Sequence, residues 1–326
     1  MLKSLKRLVL SLFICALCAV LGFVLYRHRV DLADYFKARS YVPSTEMAEL
    51  RDALDLTEKG TRIFNASTPL LDSRDDFNRD CNSSDPGIAV YGCYYLDTIY
   101  VYNIDSAELA GIRESTTAHE LLHAVWARLS GIDKNRLVPL LESVYAEHKT
   151  ALDKTLETYD ESERLDELYV RIGTQIKTLP AELESHYAEI FSDQDKIVAF
   201  YDTYITPFNT YSDRIAALGA EMETLKSDIE AKTAAYESAS ATFGTEVAEF
   251  NSCAATVGCF SSQAAFNSRR AELVATQASL DSTYSDLSAL IDVYNQKVDE
   301  YNSNILNLDL LQNLANSNGK TESIKE

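Results

Sequence analysis

The chain has 326 residues, of which 46% are hydrophobic and 25% charged, and its formal net charge is −20. This composition is typical of a protein with its own hydrophobic core rather than of a disordered chain. Fifty acidic residues stand against thirty basic ones, and no basic patch with interleaved aromatic residues occurs. A surface of this charge repels nucleic acid, so we expect no nucleic-acid partner.

Residues 8–26 form an almost entirely apolar segment that is preceded by three basic residues. About nineteen apolar residues are enough to cross a bilayer as a helix. The apolar run continues past 16–19, where a signal peptide would be cleaved, which favours a retained anchor over a cleaved signal. The charge bias across the segment predicts a cytoplasmic N-terminus and a single-pass protein with the bulk of the chain outside the cytoplasm.

Six cysteines are present, and two of them, Cys15 and Cys18, lie in the predicted anchor. The other four form two close pairs, which are Cys81 with Cys93 and Cys253 with Cys259. An even, paired set suits an oxidising compartment, so we predict one disulfide within each pair. A zinc site built from all four cysteines is the alternative, and the long separation between the pairs disfavours it.

The region before the central motif is predicted to contain one helix and one strand. Ser44 or Thr45 caps a helix through about Glu58, which Lys59-Gly60 would close. Residues 61–97 are predicted to be rich in loops, and the β-branched and aromatic residues 98–105 predict a strand.

Residues 119–123 read His-Glu-Leu-Leu-His. On a helix, histidines four apart lie on one face about 6 Å from each other and can bind one metal ion. This pattern is half of a catalytic zinc site, in which Glu120 faces the metal-bound water as general base. We therefore predict zinc, held by His119 and His123, and peptide hydrolysis. The strand at 98–105 is then either an edge strand that pairs with an extended peptide or a core strand.

Helices dominate the rest of the chain. Three are predicted in sequence, from Arg136 to about Tyr159, from Glu161 to Ile172 with Gly173 as its end, and from Ala181 to Phe191 after Pro180. A break is predicted at 206–208. Beyond it, two heptad-patterned helices of about 40 and 50 residues, joined by 251–262, predict an antiparallel coiled-coil hairpin roughly 60 Å long. The same apolar seam could instead bind a coiled-coil partner or a second copy of the chain.

A catalytic zinc ion needs a third protein ligand. No further histidine follows closely on His123, so a glutamate from a later helix is expected, and the candidates are Glu142, Glu147, Glu167, Glu184 and Glu189. Glu189 precedes Asp193 by four, which resembles the thermolysin pattern. The apolar pattern of its own helix places Glu167 opposite the buried face, as expected for a solvated carboxylate.

The run 167–173, with Leu179-Pro180, His186-Tyr187 and Phe200-Tyr201, resembles the gluzincin zinc metallopeptidases, in particular the catalytic domain of anthrax lethal factor and its small bacterial relatives. The resemblance covers about 100–205, and Leu168 and Val170 depart from the family pattern. It implies that Glu167 is the third zinc ligand. It also implies a tyrosine shortly before that ligand as an oxyanion donor, for which Tyr159 is the candidate beside His186 and Tyr187.

The sequence thus predicts an α+β, mostly helical chain in three parts. These are a cytoplasmic tip and anchor at 1–29, a zincin-like metallopeptidase domain with a small sheet at 30–206, and the hairpin with a polar tail at 207–326. The predicted function is that of a membrane-anchored, extracytoplasmic zinc peptidase acting on a peptide or protein. The alternative is a cell-envelope scaffold or interaction protein in which the hairpin works and the zincin domain is degenerate.

Overall fold

The computed structural model describes residues 2–27, 29–81, 91–156, 159 and 161–316. These residues are mostly helical and include one small sheet. The helices are α1 (Leu2–Arg27), α2 (Arg29–Ser40), α3 (Thr45–Ala53), α4 (Glu58–Ala66), α5 (Arg74–Asp80), α6 (Ile112–Arg128), α7 (Gly131–Glu147), α8 (Lys149–Leu156), α9 (Glu161–Gln175), α10 (Ala181–Tyr187), α11 (Gln194–Ala254) and α12 (Gln263–Ala315). The chain divides into two compact units, Met1–Pro207 with Leu311–Glu326, and Phe208–Leu310.

None of the described helices reaches, alone, the length and hydropathy that crossing a membrane requires. Taken together, the segments Phe13–Leu25 and Arg29–Ser40 reach the required length and hydropathy, with a bend of 60° between the two helices.

The helix predicted from 44 to about 58 is in fact two helices. Ser44 caps α3 as expected, since its hydroxyl accepts from the amide of Met47. The chain then turns through Asp55 at a φ of 49°, and Thr57 caps α4. Gly60 does not close a helix, because it lies in the first turn of α4. A Cβ there would stand 2.3 Å from the carbonyl oxygen of Ile190, so the glycine permits a close approach of two backbones.

The sheet has three strands, β1 (Leu70–Asp72), β2 (Gly92–Tyr95) and β3 (Thr98–Tyr102), in the order β1-β3-β2. β1 is parallel to β3, and β2 is antiparallel to it. The predicted strand therefore exists as β3, but it is the central strand, and the edge-strand interpretation of it is wrong. The prediction that 61–97 is rich in loops is wrong for the described residues 61–81 and 91–97, because they hold most of α4 together with β1, α5 and β2. The rest of that range, 82–90, lies outside the described residues. The predicted disulfide between Cys81 and Cys93 is confirmed.

Two further helix boundaries differ from the prediction. The helix expected over 136–159 is α7 followed by α8, with a break at His148. Gly173 does not end α9, which continues to Gln175. A Cβ at Gly173 would lie 2.5 Å from the ring of Tyr187 and 2.6 Å from Leu122, so this glycine allows α9 to pack closely on α6 and α10.

The break expected at 206–208 is absent, since α11 runs through Pro207. A proline removes one backbone donor, and here the long helical segments on both sides remain continuous in spite of that loss. The predicted position nevertheless coincides with the boundary between the two units, which lies at Pro207.

The unit Phe208–Leu310 is an antiparallel helical hairpin. Partner numbers rise on α11 as they fall on α12: Arg214 contacts Glu300, Glu221 contacts Lys297, and the rings of Tyr236 and Tyr284 lie 5.9 Å apart. Near the turn, Phe250, Phe260 and Phe266 pack together, and Cys253 and Cys259 form the predicted disulfide. The prediction of two long helices paired as an antiparallel hairpin is confirmed.

Candidate metal centre

The two motif histidines lie on α6, a helix buried around most of its circumference. Its uncharged residues on both sides of the motif, which include Thr117, Ala118 and Ala124, are inaccessible to solvent. His119 and His123 are one turn apart on one face, with ring centroids separated by 5.0 Å. The sequence-based prediction of two neighbouring imidazoles is therefore correct.

The third member of the cluster is Glu167 on α9. Its Oε2 lies 3.7 Å from His119 Nε2 and 3.5 Å from His123 Nε2. Among the described residues, these three side chains form the group of potential ligand atoms that could hold a metal ion, all within 4.8 Å of one another. The expectation that Glu167 is solvated is wrong, since only 1% of the residue is exposed. α6 covers the side of α9 that the apolar pattern left open.

The structure does not bring Glu189 to the histidines. Its side chain is 52% exposed and forms an ion pair with Lys59 on α4. Asp193, the other residue of the thermolysin-like pattern, instead accepts from the amide of Lys196 near the start of α11. The remaining glutamate candidates also lie outside the described cluster.

Asp166 orients one of the histidines. Its Oδ1 lies 2.8 Å from Nδ1 of His123, which leaves Nε2 of that ring facing Glu167. Carboxylates commonly hold ligand histidines in this way, selecting the tautomer and raising the basicity of the other nitrogen. The sequence analysis missed Asp166, and its position next to Glu167 was the only available signal.

Arg171 contacts the other oxygen of Glu167. The guanidinium Nε lies 2.5 Å from Oε1, one helical turn away on α9. Neither atom has an aligned hydrogen-bond partner among the described residues, so the contact is one of opposite charges. It assigns Oε1 to the arginine and Oε2 to the histidines. Sequence reasoning missed this residue too, although a Glu and an Arg four apart on a helix are a recognised pair.

Glu120 is buried beside the cluster and lies against strand β2. A Cβ on Gly92 would stand 2.8 Å from Cγ and 2.9 Å from Oε1 of Glu120. The glycine at the start of β2 therefore makes the room that this carboxylate occupies. A glycine within a strand often marks such a close approach, but in this chain its partner could be recognised only from the fold.

The charges of the cluster are strongly coupled. Burial raises the pKa of Glu120, against the opposing charges of His119 and His123. Burial by itself would lower the pKa of His123, but hydrogen bonds to Asp166 and Glu167 and the charge of Glu120 raise it to about 10. Burial would raise the pKa of Glu167, yet the two histidines and Arg171 hold it far below its usual range. The site thus keeps Glu167 ionised while favouring positive charge between the carboxylates.

The predicted oxyanion donor Tyr159 belongs to the same surroundings. Burial and the charges of Glu167 and Glu120 raise the pKa of its phenol to about 12, while a hydrogen bond with Arg171 lowers it. The phenol therefore stays protonated at neutral pH. Tyr187, by contrast, donates to the carbonyl of Tyr169, and His186 Nε2 lies 3.0 Å from the Tyr169 hydroxyl, so both are occupied in the core.

No protein-family model, curated protein or solved structure matches this chain. The cluster has to be interpreted from its own chemistry. Two imidazole nitrogens and one carboxylate oxygen are the donor set of many catalytic zinc sites. Ligands bound tetrahedrally at zinc distances stand about 3.4 Å from each other, close to the separations that Glu167 Oε2 makes with both rings. The three donors could therefore hold a metal ion, and their spacing is compatible with zinc.

Proposed function

We propose that this chain is a zinc-dependent peptidase of the gluzincin type, with a zincin-like catalytic unit anchored outside the cytoplasm by its N-terminal segment. One observation carries the proposal, which is the convergence of His119, His123 and Glu167 from two helices with the buried Glu120 beside them. The compartment is supported by the two disulfides, and the anchor by the apolar run at 8–26.

Each residue of the cluster has a role in this proposal. A zinc ion held by His119, His123 and Glu167 would supply the positive charge that activates a water and polarises the scissile carbonyl. Glu120 takes the proton of the attacking water and passes it to the leaving amine. Burial raises its pKa, which makes it a stronger base than a solvent-exposed glutamate. Tyr159 donates a hydrogen bond to the oxygen on which negative charge develops.

Strand β2 offers a place for the substrate backbone. It lies at one edge of the sheet formed by the described residues, and its first residue, Gly92, adjoins Glu120. An extended peptide that pairs with such an edge gains main-chain hydrogen bonds without regard to its sequence. We infer that β2, rather than β3, aligns the peptide bond with Glu120.

The test is to purify the full chain and its Glu120→Gln, His123→Ala and Glu114→Gln variants, and to measure metal content and cleavage of a fluorescence-quenched peptide library. Glu120→Gln should keep zinc, because the ligands are intact, and should lose about 10² to 10⁴ in rate. His123→Ala should lose both zinc and activity. Glu114→Gln changes a glutamate of the same helix outside the cluster and should match the parent.

Full activity of Glu120→Gln would end the peptidase proposal, as would a parent chain that neither carries nor takes up zinc. The second outcome would favour the scaffold alternative. That alternative rests on the hairpin, because α11 has 61 residues and α12 has 53, and neither helix carries a member of the metal cluster.

A further inference from the structure

Outside α1, whose apolar side chains are exposed along its length, a group of exposed apolar side chains of the first unit lies on α2 and on the turn between β2 and β3. Phe36 is 69% exposed and Leu96 is 79% exposed. Three further exposed residues on α2 and one at the end of β2 extend this surface, and they are Val30, Leu32, Tyr35 and Tyr95. Contiguous exposed apolar side chains of this kind usually mark a surface that contacts something other than water.

Ion pairs join these two elements into one surface. Lys37 on α2 is paired with Asp97, which follows Leu96 in the turn. The guanidinium of Arg128 donates to both oxygens of Asp34 at 2.9 and 3.1 Å, and to Asp97 at 2.7 Å. The side chains of Asp34 and Arg128 are nearly inaccessible to solvent, so water has little access to this ion pair. α2 and the turn are thus held together on the C-terminal end of α6.

The position of α2 in the chain indicates what covers it. α2 begins within one helical turn of the apolar run that ends at Tyr26, so it cannot lie far from any bilayer that this run enters. Its exposed Tyr35 carries a polar tip, which accepts a hydrogen bond from Arg39. Aromatic residues with polar tips beside basic side chains are typical of elements that rest in the interface between lipid headgroups and acyl chains.

We propose that α2 and the β2–β3 turn form a lipid-facing surface that rests on the bilayer in which the N-terminal segment is anchored. The lipid-facing surface depends on the anchor in the proposed function and not on the zinc chemistry, whereas the substrate restriction drawn from it rests on the proposed peptidase activity as well. All fifty acidic residues follow Val30, so the favourable contact is apolar and aromatic, and the matching surface is a zwitterionic one.

This surface constrains the substrate. Arg128 lies five residues after His123 on α6, which is about 8 Å of helix. A bilayer resting on α2 and the turn therefore stands close to the metal cluster. The peptide bonds within its reach are those of protein segments near the membrane surface.

The test uses the full chain in phosphatidylcholine vesicles, with and without bromine on the acyl chains, which quenches nearby tryptophan. Phe36→Trp and Leu96→Trp place a probe on each element of the surface. Ala107→Trp is the control, since it is exposed just beyond the end of β3 that is remote from the turn. The single native tryptophan, Trp126, is buried and gives the common background.

Brominated lipid should reduce the added fluorescence of Phe36→Trp and Leu96→Trp and leave that of Ala107→Trp unchanged. Flotation of each variant with the vesicles is measured first. Failure of the chain to float with the vesicles would refute the proposed anchor and, with it, the lipid-facing surface. A chain that floats without quenching at 36 and 96 overturns the surface alone, and a blue-shifted, unquenched emission there would assign the surface to contact between copies of the chain. Zinc content and peptidase activity do not enter either readout.

Discussion

Replacing Glu167 by glutamine removes a carboxylate charge while keeping the size of the side chain. Its Oε2 lies 3.5 and 3.7 Å from the two imidazoles, and no other glutamate joins this cluster among the described residues. Loss of a residue that merely orients a ligand lowers metal affinity about 10- to 100-fold. Loss of the ligand itself should exceed that range, which means more than about 2.7 kcal/mol of binding free energy.

The matched control is Glu189→Gln, which makes the same glutamate-to-glutamine change at the other candidate for the third ligand. Glu189 is half exposed and pairs with Lys59 at the surface, and such pairs contribute about 0–1 kcal/mol to stability. Its removal should leave zinc affinity unchanged. The assay is a zinc titration of metal-depleted full chain against a chromogenic chelator, after circular dichroism has shown that each variant is folded.

Glu167→Gln should then bind zinc more than about 100-fold more weakly than the parent, and Glu189→Gln should bind it equally well. The reasoning is refuted if a folded Glu167→Gln retains the parent's affinity. It is also refuted if Glu189→Gln is the variant that loses zinc, because the ligand assignment would then pass to α10 and its neighbourhood.

Three further predictions concern residues around the cluster. Tyr159→Phe should lower kcat without changing zinc affinity, because the phenol is proposed to donate to the developing oxyanion and is not a metal ligand. An unchanged kcat would contradict this role. Gly173→Ala should destabilise the fold by about 1–3 kcal/mol in urea unfolding, because the added methyl meets the ring of Tyr187 at 2.5 Å. Burial lowers the pKa of His186 from 6.5. As the pH falls, His186 is therefore protonated more readily in the unfolded chain than in the folded chain. The free energy of unfolding should fall as pH drops through about 6.5. His186→Gln, which can still bond the Tyr169 hydroxyl, should make the free energy of unfolding less dependent on pH in this range. An unchanged pH dependence would show that His186 is not its source.

Much of the fold was predictable where the signal is local. Ser44 as a cap, the two cysteine pairs and the two long helices of the hairpin depend on residues close in sequence, and the structure agrees with each of them. The glycines differ for the opposite reason. The local pattern predicts helix ends at Gly60 and Gly173, yet at each position a backbone or ring from another element approaches too closely for a side chain.

The sequence by itself determined the pair of imidazoles and the position of Glu120, because the α-helix places residues four apart on one face whatever surrounds it. Which carboxylate approaches the two imidazoles stayed open between Glu167 and Glu189, because both belong to segments predicted to be helical and either could face α6. Tertiary packing brings Glu167 to them. α9 lies against α6, buries Glu167 on the face that its apolar pattern had assigned to solvent, and brings Asp166 to His123. Such contacts depend on which helix packs against which, and no local pattern in the sequence encodes that choice.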